Sequence, residues 1–73
     1  DFSWERTGSG WEVRWQPLGQ GMVNWPKILA AYAAARFAGP MSIHVEYEPA
    51  DEIAATARDL EFLRKQIAAA YGA

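Results

Sequence analysis

Residues 39–49, "GPMSIHVEYEP", alternate without a break: Ile43, Val45 and Tyr47 fall on one side, and Ser42, His44, Glu46 and Glu48 on the other. A period of two is the mark of an extended chain with two unlike faces. The segments on either side read as helices, and a strand set between helices normally joins a parallel sheet. Such strands are covered on both faces and read as near-continuous apolar runs. A histidine and a glutamate side by side on one face therefore need a reason, and that reason decides the fold.

The stretch before it, "NWPKILAAYAAARFAG", predicts a helix over residues 24–38. Asn24 suits the N-cap, Pro26 falls in the first turn where its missing N–H costs nothing, and Gly39 with Pro40 stops the helix. Trp25, Ile28, Leu29, Tyr32 and Ala35 share one face. After the strand, residues 50–71 predict a second helix, with Asp51 and Glu52 in the first turn where the helix dipole favours negative charge. Ile53, Ala57, Leu60, Leu63, Ile67 and Tyr71 make its apolar stripe, Glu61 and Lys65 pair on the wet side, and Phe62 points away from the stripe.

At the front of the chain, residues 2–5 and 11–16 read as two arms of a hairpin turned by Gly8, Ser9 and Gly10. Trp11, Val13 and Trp15 alternate with Glu12 and Arg14 on the second arm, and "PLGQG", residues 17–21, follows as a loop. The order is β(hairpin)–α–β–α over one unit, residues 1–73: strand and hairpin in 1–16, helix in 24–38, strand in 41–47 and helix in 50–71.

Two strands and two helices cannot close a barrel, and a two-stranded parallel sheet leaves both edges and one face uncovered. The expected fold class is α/β, the chain reading as the last portion of an α/β protein whose larger sheet the helix stripes cover. A (β/α)8 TIM barrel, of which it would be the C-terminal portion, supplies a reason for the polar face. Barrel strands alternate between helix-facing and lumen-facing side chains, and the active site lies at their carboxyl ends. Ile43, Val45 and Tyr47 then pack under the helices while Ser42, His44 and Glu46 face the lumen. Two residues apart on a strand, the Cα atoms of His44 and Glu46 are separated by about 6.5 Å, so both side chains can converge on one metal ion or one substrate.

The bulk properties narrow the function. A chain of 73 residues buries only about 60% of the surface its unfolded form exposes, which leaves stability marginal without a staple or a partner. There is no cysteine, hence no disulfide and no thiolate zinc site, and a cytoplasmic location is the corresponding expectation. A net charge of −2 with no basic stripe argues against nucleic acid, and no apolar run approaches a membrane span. The opening "DFSWE" is neither a basic leader nor an initiator methionine, as expected of a piece of a longer protein.

The run "DFSWE…GWEVRWQPLGQGMVNWPKIL…FAGPMSIHVEYE…ARDLEFLRK" resembles the C-terminal end, the last two βα units, of sugar-phosphate isomerases and epimerases of the xylose-isomerase-like TIM-barrel superfamily. Asp1 with Phe2 matches the tail of the family's His-x-Lys-Asp motif at the end of strand seven, and Pro17 to Gly21 with Asn24 matches its "PLGxG" loop and helix cap. The resemblance implies Mn²⁺, Mg²⁺ or Co²⁺ held by carboxylates and a histidine, polarising the oxygens of a sugar or sugar phosphate so that an enediolate forms as a carboxylate moves the proton.

It also implies that His44 or Glu46 is a metal ligand, with Glu46 the candidate proton-transfer carboxylate. The family's eighth-strand ligand is a glutamate four residues after the turn proline, a place His44 fills here, and Glu46 follows with the same facing. Asp1 and Trp4 are the candidate substrate contacts, Trp4 by stacking on a sugar face, although cross-strand packing is the commoner use of hairpin tryptophans such as Trp11 and Trp15. On this reading the 73-residue chain alone is inactive, and it needs the rest of the barrel, or self-association, to cover its sheet edges. Two alternatives remain: a zinc-dependent phosphodiesterase of the apurinic-endonuclease type from the same superfamily, and a small non-catalytic α/β module that pairs strand edges.

Overall fold

A computed structural model describes residues 1–72. They form a small mixed α/β unit in the order β1 (Phe2–Thr7), β2 (Gly10–Trp15), α1 (Trp25–Ala34) and α2 (Glu52–Tyr71). β1 and β2 make an antiparallel two-stranded sheet closed by the two-residue loop Gly8–Ser9, with Trp4 opposite Val13 and Phe2 opposite Trp15. Alternation puts Phe2, Trp4 and Arg6 on the face shared with Trp11, Val13 and Trp15. That face meets neither helix, so Trp4, Trp11 and Trp15 are each about half exposed or more. Contacts within it are local: Phe2 meets Trp4 edge-on at 6.2 Å, and the Arg6 guanidinium lies 5.8 Å from the Trp11 ring.

α1 starts as the sequence predicts, with the Asn24 side chain accepting from Lys27 N at 3.2 Å. It ends at Ala34, four residues short of the predicted end at 38. The reason is a complete C-terminal capping motif that does not wait for Gly39. Arg36 adopts the left-handed conformation at φ 59°, Arg36 N donates to Ala33 O, and Phe37 N donates to Tyr32 O. The Tyr32 and Phe37 rings then meet at 5.3 Å, the apolar contact that accompanies this cap.

α2 is capped by Asp51, whose carboxylate accepts from Ala54 N at 3.0 Å, and ends at Gly72 in the left-handed region. The Glu61–Lys65 pair forms on the exposed side at 3.7 Å. The buried face of α2 differs from the predicted stripe. Ala55, Asp59 and Leu63 are buried, whereas Ile53 is 85% exposed and Leu60 and Tyr71 are more than a third exposed. Phe62, expected to point away into solvent, is half-buried and lies over Gly19, where a Cβ would collide with its ring. The face α2 buries is the one that meets α1 and the 17–21 loop; the Ile53 end of the stripe has no layer to cover it. Leu29, fully buried, and Leu63, buried, are the leucines of this small core.

The largest correction concerns residues 41–47. The chain bends at Tyr47, but these residues keep the expected alternation of burial, with Ile43, Val45 and Tyr47 half-buried and Ser42, His44 and Glu46 exposed. They nevertheless join no sheet, and among the described residues no backbone–backbone hydrogen bond involves residues 38–50. The side-chain pattern is satisfied without a ladder because one face rests on the helices while both edges lack a neighbouring strand.

Candidate functional site

A cleft of about 520 Å³ opens between the 40–46 segment, the N-terminus of the chain and α1. Asp1, His44 and Glu46 border it, and Trp25, Leu29, Tyr32, Phe37 and Leu63 supply its apolar wall. Three of the four residues predicted from sequence thus share one cleft. Trp4 does not. It lines a separate shallow depression with Trp11 on the outer face of the hairpin, about half exposed and away from His44 and Glu46.

The three that do meet differ in availability. His44 and Glu46 are exposed and make no hydrogen bond or ion pair among the described residues. The Asp1 carboxylate, by contrast, is fully engaged. Its Oδ1 accepts from Phe2 N and Val23 N, and its Oδ2 from Gly19 N, Gly21 N and Trp25 Nε1, at 2.7–3.3 Å. Five donors on two oxygens use the acceptor capacity of a carboxylate and hold the 17–25 loop against the start of β1. Gly21 is required there because a Cβ would overlap the Asp1 carboxylate and the Phe2 carbonyl. Asp1 therefore shapes the cleft as an organiser of its loop.

A second carboxylate does comparable work from below. Asp59, in the middle of α2 and only 1% exposed, accepts from Leu18 N at 3.3 Å, the Tyr47 hydroxyl at 2.9 Å and the Arg58 guanidinium at 2.9 Å. A buried carboxylate is tolerated only when donors surround it, and these three come from the loop, the extended segment and the helix itself. Tyr47 is the residue after Glu46, so its anchorage sets which way the 42–46 side chains turn. Burial raises the Tyr47 pKa above the ordinary tyrosine range; the Asp59 charge adds to the rise and Arg58 opposes it.

Neither Asp59 nor the loop role of Asp1 was foreseen from sequence. The available signal for Asp59 was an acid, a poor former of helix interiors, spaced four residues from both Ala55 and Leu63.

A divalent metal needs more than this chain brings together. The described residues hold no group of three or more His, Cys, Asp or Glu side chains placed to share an ion. His44 and Glu46 suit two positions of a larger ligand set, an imidazole and a carboxylate on one face of an extended chain. No helix among the described residues is long and apolar enough to cross a membrane. No protein-family model, curated protein or solved structure matches the chain.

Proposed function

We propose that the chain is the C-terminal end of a divalent-metal-dependent sugar or sugar-phosphate isomerase or epimerase built as a TIM barrel. His44 and Glu46 contribute to its metal site, and Glu46 is the candidate base. The observation that supports this reading is the segment 41–47, which keeps strand alternation with no strand beside it and turns His44 and Glu46 toward an open cleft. The alternation of exposed polar and half-buried apolar side chains is what a barrel strand needs, although here the polar face borders a cleft walled by α1. A divalent ion in such a site polarises the oxygens next to the carbon that loses its proton. Glu46, within the same cleft, is the group of this chain able to take and return that proton. The apolar wall formed by Trp25, Tyr32 and Phe37 offers faces on which a sugar ring can stack.

The test uses the longer polypeptide that this reading requires. Bound metal is measured in the purified protein and in its His44→Ala and Glu46→Ala forms, alongside exchange of substrate hydrogen for solvent deuterium. Loss of metal in at least one variant, with loss of exchange, is the expected result. Full metal retention and full exchange in both variants would refute the assignment.

A further inference from the structure

We infer that the open edge of residues 43–47 is a self-recognition surface, on which a second copy of this chain pairs as an antiparallel strand about a two-fold axis at Val45. The inference rests on the open edge alone and requires neither a metal nor a completed barrel; where neighbouring barrel strands are present, they occupy the same edge.

Three observations carry it. First, residues 38–50 leave their backbone donors and acceptors without a backbone partner among the described residues, and between the bends at Gly39 and Tyr47 these free groups are a template for strand addition. Second, the sequence of the segment is complementary to itself in one register. With Val45 opposite Val45 of the second copy, His44 lies opposite Glu46 and Ile43 opposite Tyr47, where the chain bends and the pairing ends, each pair occurring twice by symmetry. Moving the register by one step in either direction that keeps the faces matched sets His44 against His44, or Glu46 against Glu46. A parallel in-register pair sets both like against like. A slip of a single residue opposes the polar face to the apolar one. Third, Pro40 and Pro49 lack the N–H a ladder needs, so they bound the pairing to the residues between them.

The two-fold axis stands perpendicular to the new sheet, so Ile43, Val45 and Tyr47 of both copies stay on the α2 side and His44 and Glu46 stay on the other. The half-buried face need not be rebuilt, and two copies of α2 come to cover one side of a shared two-stranded sheet. The polar pairs that choose the register are exposed in the single chain and engaged with nothing else among the described residues, so they are free to answer to the partner.

The test is analytical ultracentrifugation of the 73-residue chain over a wide concentration range. A monomer–dimer equilibrium is expected. His44→Glu replaces two attractive pairs by two repulsive ones and should weaken the dimer about tenfold or more. The double variant His44→Glu with Glu46→His exchanges the two partners and should restore the affinity to within about threefold of the original. Because the chain has no cysteine, Val45→Cys provides an independent reading of the register. Residues directly opposite lie close enough for a disulfide, so this variant should oxidise to a dimer, whereas Met41→Cys, opposite Pro49, should not. A chain that stays monomeric throughout, a double variant no better than His44→Glu, or equal oxidation of the two cysteine variants would overturn the inference.

Discussion

Replacing Asp59 by alanine takes the shared acceptor away from the Leu18 amide and the Tyr47 hydroxyl at once. A donor left unpaired and out of water costs about 1–3 kcal/mol. Leu18 and Tyr47 are half-buried, so each recovers part of its hydration and the lower half of that range applies. Arg58 is about half exposed and returns to solvent at little cost. Alanine gains about 0.5 kcal/mol in helix propensity over aspartate. The expected net loss is about 1.5–3.5 kcal/mol, against about 4–10 kcal/mol for a domain of this size. Tyr47→Phe removes one of the three bonds and leaves the carboxylate with two donors, for about 1–1.5 kcal/mol.

Urea unfolding followed by far-ultraviolet circular dichroism measures both changes, and the double variant closes a thermodynamic cycle. If the hydroxyl–carboxylate bond joins the extended segment to α2, the two changes must be non-additive by about 1 kcal/mol. Additivity within about 0.3 kcal/mol, or a loss below about 0.5 kcal/mol for Asp59→Ala, would refute the assignment of Asp59 as the staple.

Other outcomes follow from the same contacts. Tyr47 has a raised pKa in the fold, first because of burial and then because of Asp59, so its stabilising contribution is complete below the ordinary tyrosine value of about 10 and is lost as the pH rises through the higher folded value. The urea midpoint of the native chain should fall in that alkaline window, and Tyr47→Phe should remove this part of the fall. Arg36→Gly relieves a left-handed backbone at a residue with a Cβ; after the entropy glycine adds to the unfolded chain, about 0.5 kcal/mol of stability and a melting temperature about 2–4 °C higher should remain. Gly21→Ala drives a Cβ into the Asp1 carboxylate and the Phe2 carbonyl and should destabilise by about 2 kcal/mol or more, while Gly8→Ala, with open space around its Cβ, should lie within about 0.5 kcal/mol of the parent. Thermal melts of the two alanine variants side by side check the contrast.

The elements that could be read from sequence were those with local causes. The hairpin follows from Gly8, Ser9 and Gly10, the start of α1 from Asn24 and Pro26, and the run of α2 from its acidic start and apolar spacing. Asp51, however, proves to be the cap rather than a first-turn residue, and Gly72 closes the far end. The burial alternation of 42–47 was legible for the same reason, since a period of two belongs to the chain itself. What escaped depends on contacts distant in sequence. α1 stops early because the Tyr32 and Phe37 rings close a cap around Arg36, a residue type that does not announce a left-handed turn. Of the expected α2 stripe Leu63 and Ile67 are covered and Ile53, Ala57, Leu60 and Tyr71 are not, because Asp59 draws the helix round toward Leu18 and Tyr47. Of the candidate site, His44, Glu46 and Asp1 were found as cleft residues; the engagement of Asp1 by four main-chain amides and the Trp25 indole could not be seen without the loop's path.

The geometry of the site and the occupation of the strand edge are one variable. A strand in a sheet is held straight by its ladder, but residues 38–50 have no backbone hydrogen bonds among the described residues. Their course is held by the half-buried face and by Tyr47, tied to Asp59. His44 lies three residues from that tie and Glu46 one, so Glu46 is the better fixed of the two and His44 the more dependent on what lies beside the strand. Any neighbour that pairs with the edge, whether an earlier barrel strand or a second copy, supplies the missing amide and carbonyl partners and fixes both side chains together. Amide hydrogen exchange across 41–48 should therefore slow in step with the occupation of the edge, and Tyr47→Phe should loosen the segment most when the edge is empty. If exchange in 41–48 is already slow in a dilute, monomeric chain, the segment has a restraint other than Tyr47, and this link between site and edge fails.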